Sequence, residues 1–266
     1  MIPKKIHYCW IGGNPLPESA KKCIKSWRKY CPDYEIIEWN ETNYDFSKIP
    51  YMKEAYEAKK WGFVPDYARL DIIYTHGGIY MDTDVEMVRS FDPLLELPGF
   101  AGFQDAEQVN FGQGFGAEPG NPVIKALKDS YEAKHFLKED GTPDLPPSPE
   151  LNTETLISLF GLQPNGQEQT IQSLKVFLPE CFCPKSFVDG IIRKTKRTFS
   201  IHHFDASWYN DQQKQELKER WRYFQTKSER DERRQKKLRR RRFFGGMFRK
   251  LFGNKRWERI KKRILK

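Results

Sequence analysis

The stretch Val64 to Val85, VPDYARLDIIYTHGGIYMDTDV, reads as a helix, a glycine turn, a short strand and two carboxylates one residue apart. Pro65 suits a first helical turn, where its missing N–H costs nothing. Gly77-Gly78 supply the stop, because glycine readily enters the left-handed conformation that ends helices. Leu70, Ile73 and Tyr74 form an apolar stripe at helical spacing, and Asp66 and Arg69, three apart, share a face beside it. Ile79-Tyr80-Met81 is short and apolar, as a buried strand is. It runs into Asp82-Thr83-Asp84, which is too charged to continue a core.

Carboxylates at the carboxyl end of a central strand stand where open α/β sheets bind ligands. On an extended backbone Asp82 and Asp84 point to one side, and two like charges that close need a cation. Hard oxygen ligands suit Mg²⁺ or Mn²⁺, which fill their remaining positions with substrate phosphates. The chemistry indicated is a metal-bound diphosphate. Taken alone, a D-x-D triplet is also what a polar turn after a strand looks like.

Toward the N-terminus, Lys5 to Trp10, KIHYCW, reads as a strand, followed by the turn Ile11-Gly12-Gly13-Asn14-Pro15. Glu18 to Tyr30 has helical periodicity, with Ile24 and Trp27 inward and lysines outward. Tyr34 to Trp39 is a second strand, and Pro50 to Trp61 another helix. Strand, helix, strand favours a parallel sheet. Trp10 reads either as a core aromatic or as a flat face for a nucleotide base.

Toward the C-terminus, Gly99 to Gln104 is strand-like, and Asn110 to Gly116, NFGQGFG, is glycine-rich without being a P-loop or a dinucleotide fingerprint. Pro122 to Ala133 and Leu151 to Phe160 read as helices on either side of the proline-rich loop Asp140 to Pro149. Leu174 to Leu178 reads as a strand. Phe199 to Trp208, FSIHHFDASW, carries His202 and His203, a pair that is often merely structural. An imidazole is also able to complete a metal shell begun by carboxylates.

Three motifs in this order resemble glycosyltransferase family 32: KIHYCWIGG, the Asp66–Arg69 helix running through Gly-Gly into D-x-D, and IHHFDASW. The central stretch is also similar to the glucosyltransferase domains of large clostridial toxins. The resemblance implies a GT-A type α/β fold, with a Rossmann-like, mostly parallel central sheet flanked by helices, and a retaining, metal-dependent transferase. It implies that Trp10 stacks on the donor base, that Tyr80 lies against the ribose, and that Asp66 and Arg69 grip the transferred sugar. Asp82 would hold ribose or sugar hydroxyls and support the metal. Asp84 and His202 would ligate it, with His203 as the alternative. Asn110 would line the sugar pocket, and Ser207 and Trp208 would donate to the diphosphate. Relatives often have a Thr-Gly-Pro near the proline-rich loop; this chain does not.

The donor expected is a nucleotide-diphosphate sugar, UDP-hexose over GDP-mannose, with Mn²⁺ or Mg²⁺. The acceptor expected is a glycan or lipid-linked saccharide in bacterial capsule or lipopolysaccharide synthesis. The competing readings are a sugar-phosphate transferase and a non-catalytic metal or sugar binder.

Charge divides the chain. Of its 46 Lys and Arg and 36 Asp and Glu, residues 1–210 hold 23 and 29, and residues 211–266 hold 23 and 7. A mildly acidic catalytic domain, 1–210, is therefore followed by a tail of +16. Gln212 to Arg242 suits a solvated helix. Phe243, Phe244, Met247, Phe248, Leu251 and Phe252, and after Gly253-Asn254 Trp257, Ile260 and Ile264, recur at helical spacing among cations. Such helices suit an anionic membrane surface, or else packing on the body or on a partner chain. No nucleic-acid reader accompanies the charge. The opening residues lack the apolar core of a signal peptide, and no run reaches the length of a membrane span. Five cysteines, without a second pair at zinc spacing, suit reduced thiols. The expected location is cytoplasmic, peripheral on the inner face of the plasma membrane.

Overall fold

A computed structural model describes residues 1–144, 146–206 and 209–252, with side chains as far as residue 239. In chain order the elements are β1 (Lys5–Cys9), α1 (Glu18–Tyr30), β2 (Glu35–Trp39), α2 (Pro50–Glu57), α3 (Pro65–His76), β3 (Gly78–Tyr80), β4 (Val85–Met87), β5 (Gly99–Phe103), β6 (Val109–Asn110), β7 (Phe115–Ala117), α4 (Pro122–Asp129), α5 (Ser148–Phe160), β8 (Gln169–Ile171), β9 (Leu174–Phe177), α6 (Pro179–Phe182), β10 (Ser200–His202) and α7 (Asp211–Phe252).

The central sheet has the order β2-β1-β3-β7-β5-β9-β8, with β6 paired to β5. β1 pairs parallel with β2 and β3, and β5 pairs parallel with β9. β7 sits antiparallel between β3 and β5, so β2, β1, β3, β5 and β9 point one way. This is the mixed α/β architecture with a mostly parallel sheet that the strand, helix, strand opening leads one to expect. Alternation along the strands feeds two apolar layers. Ile6, Tyr8 and Ile79 join Ile24 and Trp27 of α1 on one face, while Cys9 and Tyr80 join Tyr51, Leu70, Val123 and Leu156 on the other.

α3 is the element on which the site depends. Pro65 occupies its first turn, and Gly77 ends it at φ +63°, giving its N–H to the Ile73 carbonyl at 2.9 Å. Gly78, at φ +102°, lies so close to β1 that a Cβ there would stand 2.9 Å from both the Lys5 carbonyl oxygen and His7 Nε2. The paired glycines thus stop the helix and let β3 enter beside β1. α3 departs from a simple one-sided helix. Pro65 to Leu70 are all buried, so Asp66 and Arg69 lie inside the protein rather than along a wet edge.

A second sheet has only β4 and β10, antiparallel, with His202 opposite Val85. It joins the end of the D-x-D turn to a segment more than a hundred residues later. The chain falls into two compact units. One comprises Met1–Phe187 and Ile192–Lys214, and the other comprises Val188–Ile191 and the chain from Gln215 onward. In the second, Gln225 Nε2 donates to the Gly190 carbonyl at 3.3 Å. α7 runs as one helix to Phe252, immediately before Gly253. Phe243, Phe244, Met247, Phe248, Leu251, Phe252, Trp257, Ile260 and Ile264 fall outside the residues whose side chains are described. Among the described residues, no helix is long and apolar enough to cross a membrane. All five cysteines are free and buried.

Candidate active site

Asp82 and Asp84 come together differently from the extended pair that their spacing suggests. The Val85 N–H closes a turn on the Asp82 carbonyl at 3.1 Å, and it is this turn that brings the two carboxylates to one place. The β4–β10 pairing then adds His202. One ligand atom from each of Asp82, Asp84 and His202 lies within 4.8 Å of the others, the only such group among the described residues. Two carboxylates and an imidazole are a donor set for a divalent metal ion.

Electrostatics distinguish the two aspartates. Burial raises the Asp82 carboxyl, with Arg69 pulling against it and the Asp84 charge adding to the rise. Burial also acts to raise Asp84, but the His202 imidazole and the Asp205 N–H outweigh it and hold the group at about 2. Burial opposes charge on His202, yet Asp84, with a contribution from Cys183, lifts it to about 10. His202 Nε2 stands 3.4 Å from Asp84 Oδ2. A divalent cation held by these groups would take over from the ring proton the charge that Asp84 now meets.

His203 turns away. Its Nε2 meets Glu86 Oε2 at 2.9 Å, while its backbone N–H donates to the Asp84 carbonyl at 3.0 Å. Of the two histidines, His202 is the one in the cluster.

Behind the carboxylates stands a buried charge network. Arg69 Nη2 lies 3.0 Å from Asp66 Oδ1 and 3.6 Å from Asp82 Oδ1, and its Nε donates to the Pro65 carbonyl at 3.1 Å. Its guanidinium is 5.4 Å from the centre of the Tyr80 ring. Burial raises Asp66 to about 6 against the pull of Arg69, and the Tyr51 hydroxyl donates to Asp66 Oδ2 at 3.2 Å. Tyr80 is buried and donates to Asp82 Oδ1 at 3.2 Å, so its hydroxyl faces the carboxylate.

The glycine-rich turn closes on this network from the sheet side. Asn110 Oδ1 accepts from the Gly112 N–H at 2.6 Å, and Asn110 Nδ2 donates to Gln104 Oε1 at 3.0 Å. The Gly112 carbonyl in turn accepts the Asp82 N–H at 2.8 Å. Asn110 thus shapes the turn against which Asp82 lies. Trp10 is partly exposed just past β1, its ring N–H donated to the Asn14 carbonyl at 2.5 Å. Ser207 and Trp208 lie outside the described residues.

Several residues of this neighbourhood have no signature in the sequence. Tyr131 and Asn152 are fully buried, and the Tyr131 hydroxyl lies against the Asn152 side chain. Tyr131 feels the charges of both Asp66 and Arg69, which places this polar capacity behind the ion pair. Only the helical periodicity of LNTETLISLF could have raised suspicion, by setting a polar Asn152 on the inward face with Leu156.

Residues 17–100 match the family described as the glycosyltransferase sugar-binding region containing the DXD motif. An inositol phosphoceramide mannosyltransferase of Schizosaccharomyces pombe is 35% identical over 107 residues, covering 37% of this chain and 29% of that protein. A mannosyl phosphorylinositol ceramide synthase of Saccharomyces cerevisiae is 32% identical over 143 residues, 52% of this chain and 36% of that one. The chain thus spans about a third of the length of either relative. Among solved structures, a PaToxG glycosyltransferase aligns at TM-score 0.44 and 20% identity, over 59% of this chain and 68% of that one. The matched region contains α1, the Asp66–Arg69 helix and the D-x-D turn, and it is in this region that the chain is similar to the DXD-containing glycosyltransferases.

Proposed function

We propose that this protein is a retaining, metal-dependent glycosyltransferase that moves a hexose from a nucleotide-diphosphate donor onto a glycan or lipid-linked saccharide in bacterial surface polysaccharide synthesis. The observation that carries the reading is the meeting of Asp82, Asp84 and His202 beside the buried Asp66–Arg69 pair. A divalent ion held by the three ligands would supply Lewis acidity that neutralises charge on the departing diphosphate.

The chain's own residues do the rest. Arg69 and Asp66, a buried ion pair behind Asp82, would meet the sugar hydroxyls only through the donor and acceptor capacity their pairing leaves. Tyr80 and Arg69 orient Asp82 for its share of the ligation. Asp66 and Asp82 are both held by Arg69, so neither is a free nucleophile, and the route to retention would be attack from the leaving-group face through an ion-pair-like transition state. The resemblance of Trp10 to the toxin-type UDP site favours a UDP-hexose. The mannosyltransferase names of the relatives make GDP-mannose the donor to compare. The +16 tail supports a place at the anionic inner leaflet, where a lipid-linked acceptor would be found.

The test is donor turnover and calorimetric binding with UDP-hexoses and GDP-mannose, with and without Mn²⁺, for the natural chain and for Asp84→Ala. Metal-dependent release of nucleoside diphosphate, lost in Asp84→Ala, is expected. Full activity of Asp84→Ala in saturating Mn²⁺ would overturn the assignment. Release of nucleoside monophosphate would indicate sugar-phosphate transfer, and binding without turnover with every donor and acceptor would indicate a binder.

A further inference from the structure

His202 brings one ring nitrogen to the carboxylate cluster and keeps the other inside the protein. Nε2 stands 3.4 Å from Asp84 Oδ2, whereas Nδ1 is fully buried. A histidine that ligates a metal through one nitrogen donates the other ring N–H to a fixed acceptor, which sets the tautomer and the plane of the ring. The polar group that lies against this ring from behind is the Cys183 thiol. Cys183 is itself buried and in no disulfide.

The sulfur has a fixed place and a fixed polarity. The segment leading into β10 is tied to α6 at every second residue. The Thr198 hydroxyl donates to the Glu180 carbonyl at 2.8 Å, the Ser200 hydroxyl meets the Phe182 carbonyl at 3.3 Å, and His202, next in the series, meets Cys183. On the alternate side the Phe199 N–H donates to the Cys181 carbonyl at 2.7 Å. Cys183 also gives its own N–H to the Pro179 carbonyl at 2.7 Å. Its thiol donates to the Lys185 carbonyl, 3.6 Å from Sγ. A thiol has a single hydrogen, so with that hydrogen on Lys185 the sulfur meets His202 as an acceptor. The proton that a metal-bound ring retains is then on Nδ1, and the Nε2 lone pair is the one offered beside Asp84. A thiol turned the other way, with its hydrogen on Nδ1, would put the ring proton on Nε2 and close the imidazole to a metal.

We propose that Cys183 is a positioning residue of the metal centre, its sulfur accepting the His202 Nδ1–H and so holding the ring in the tautomer that ligates through Nε2. This rests on the metal-dependent reading of the Asp82, Asp84 and His202 cluster, and it extends that centre to a residue of the α6 turn.

Mn²⁺ binding to the full chain without nucleotide, measured by calorimetry, tests it. Cys183→Val keeps an apolar group of similar size and removes the acceptor, and it should weaken Mn²⁺ binding about tenfold or more. Cys183→Ser keeps an atom that donates to the Lys185 carbonyl and accepts from the ring, and it should bind Mn²⁺ within about threefold of the natural chain. Natural affinity in Cys183→Val would overturn the inference. So would a Cys183→Ser variant as weak as Cys183→Val with unchanged circular dichroism, which would leave the sulfur a packing role only. A further measurement needs no substitution: in the natural chain loaded with Mg²⁺, the ring nitrogen shifts of His202 should place its proton on Nδ1, and a proton on Nε2 would overturn the inference too. If the natural chain binds no divalent ion, the metal-dependent reading fails and the inference with it, a result distinct from the others.

Discussion

At Gly112 the backbone passes so close to Asp82 that a Cβ would collide with its Oδ2, and would stand 3.1 Å from Arg69 Nη1. Ala in place of Gly112 must therefore displace the carboxylate, since the backbone on either side is buried. A misplacement of about 1 Å at a catalytic group costs about a hundredfold in rate. Gly112→Ala is expected to lose at least that much donor turnover, while its far-ultraviolet circular dichroism stays that of the natural chain. Undiminished turnover in a folded variant would show that Asp82 is not positioned by this contact. The example marks what single residues disclose in sequence. Asp66, Arg69, Asp82 and Asp84 were visible because their meaning lies in short spacings along one segment. Gly112 was noticed only as one of a glycine-rich run, because its partner Asp82 lies thirty residues earlier and the contact is made by the fold.

β1 shows the same limit at the scale of an element, and it carries a titration. KIHYC reads as a strand, and its pairing with β2 and β3 follows from strand, helix, strand order. Its middle residue, His7, is fully buried between two partners of fixed role. The Trp39 indole, a donor only, gives its N–H to His7 Nδ1 at 3.0 Å, so Nε2 carries the proton toward the Gly77 carbonyl at 3.0 Å. A second ring proton has no place. Burial, only partly offset by the Gly77 carbonyl, depresses His7 to about 4 from 6.5. The unfolded chain then binds the extra proton first, so stability present above pH 6.5 is lost as pH falls toward 4. The loss amounts to about 3 kcal/mol. Urea unfolding of the natural chain should weaken over that window by about this much more than that of His7→Gln, and identical pH profiles would refute the assignment. Among the elements that escaped the sequence were β4, β7 and β10, three residues each. Runs that short complete no period, and tertiary pairing alone makes them strands. The β4–β10 pair is also what joins His202 to Asp84, so this part of the site awaited the fold.

On the scale of the whole molecule, charge was the most legible property, because it depends on composition and not on contacts. Residues 1–210 carry −6 and residues 211–266 carry +16. An acidic body is repelled by an anionic leaflet, and a tail of that charge reverses the sign locally. Each Lys or Arg near such a surface contributes about 1 kcal/mol, less as salt screens it. Insertion of Phe244, Phe248, Trp257 and Ile260 would add an apolar contribution that salt does not remove. Truncation after Gln235 deletes all four of these residues together with the Arg239 to Arg242 block. The truncated protein is expected to hydrolyse free donor nearly as fast as the full chain, to lose flotation with anionic liposomes, and to transfer slowly to membrane-borne acceptor. Flotation of the full chain should weaken in high salt without vanishing, since only one of the two contributions is electrostatic. Equal flotation of the two proteins would remove the membrane from the account and leave the tail to pack on the body or on a partner chain.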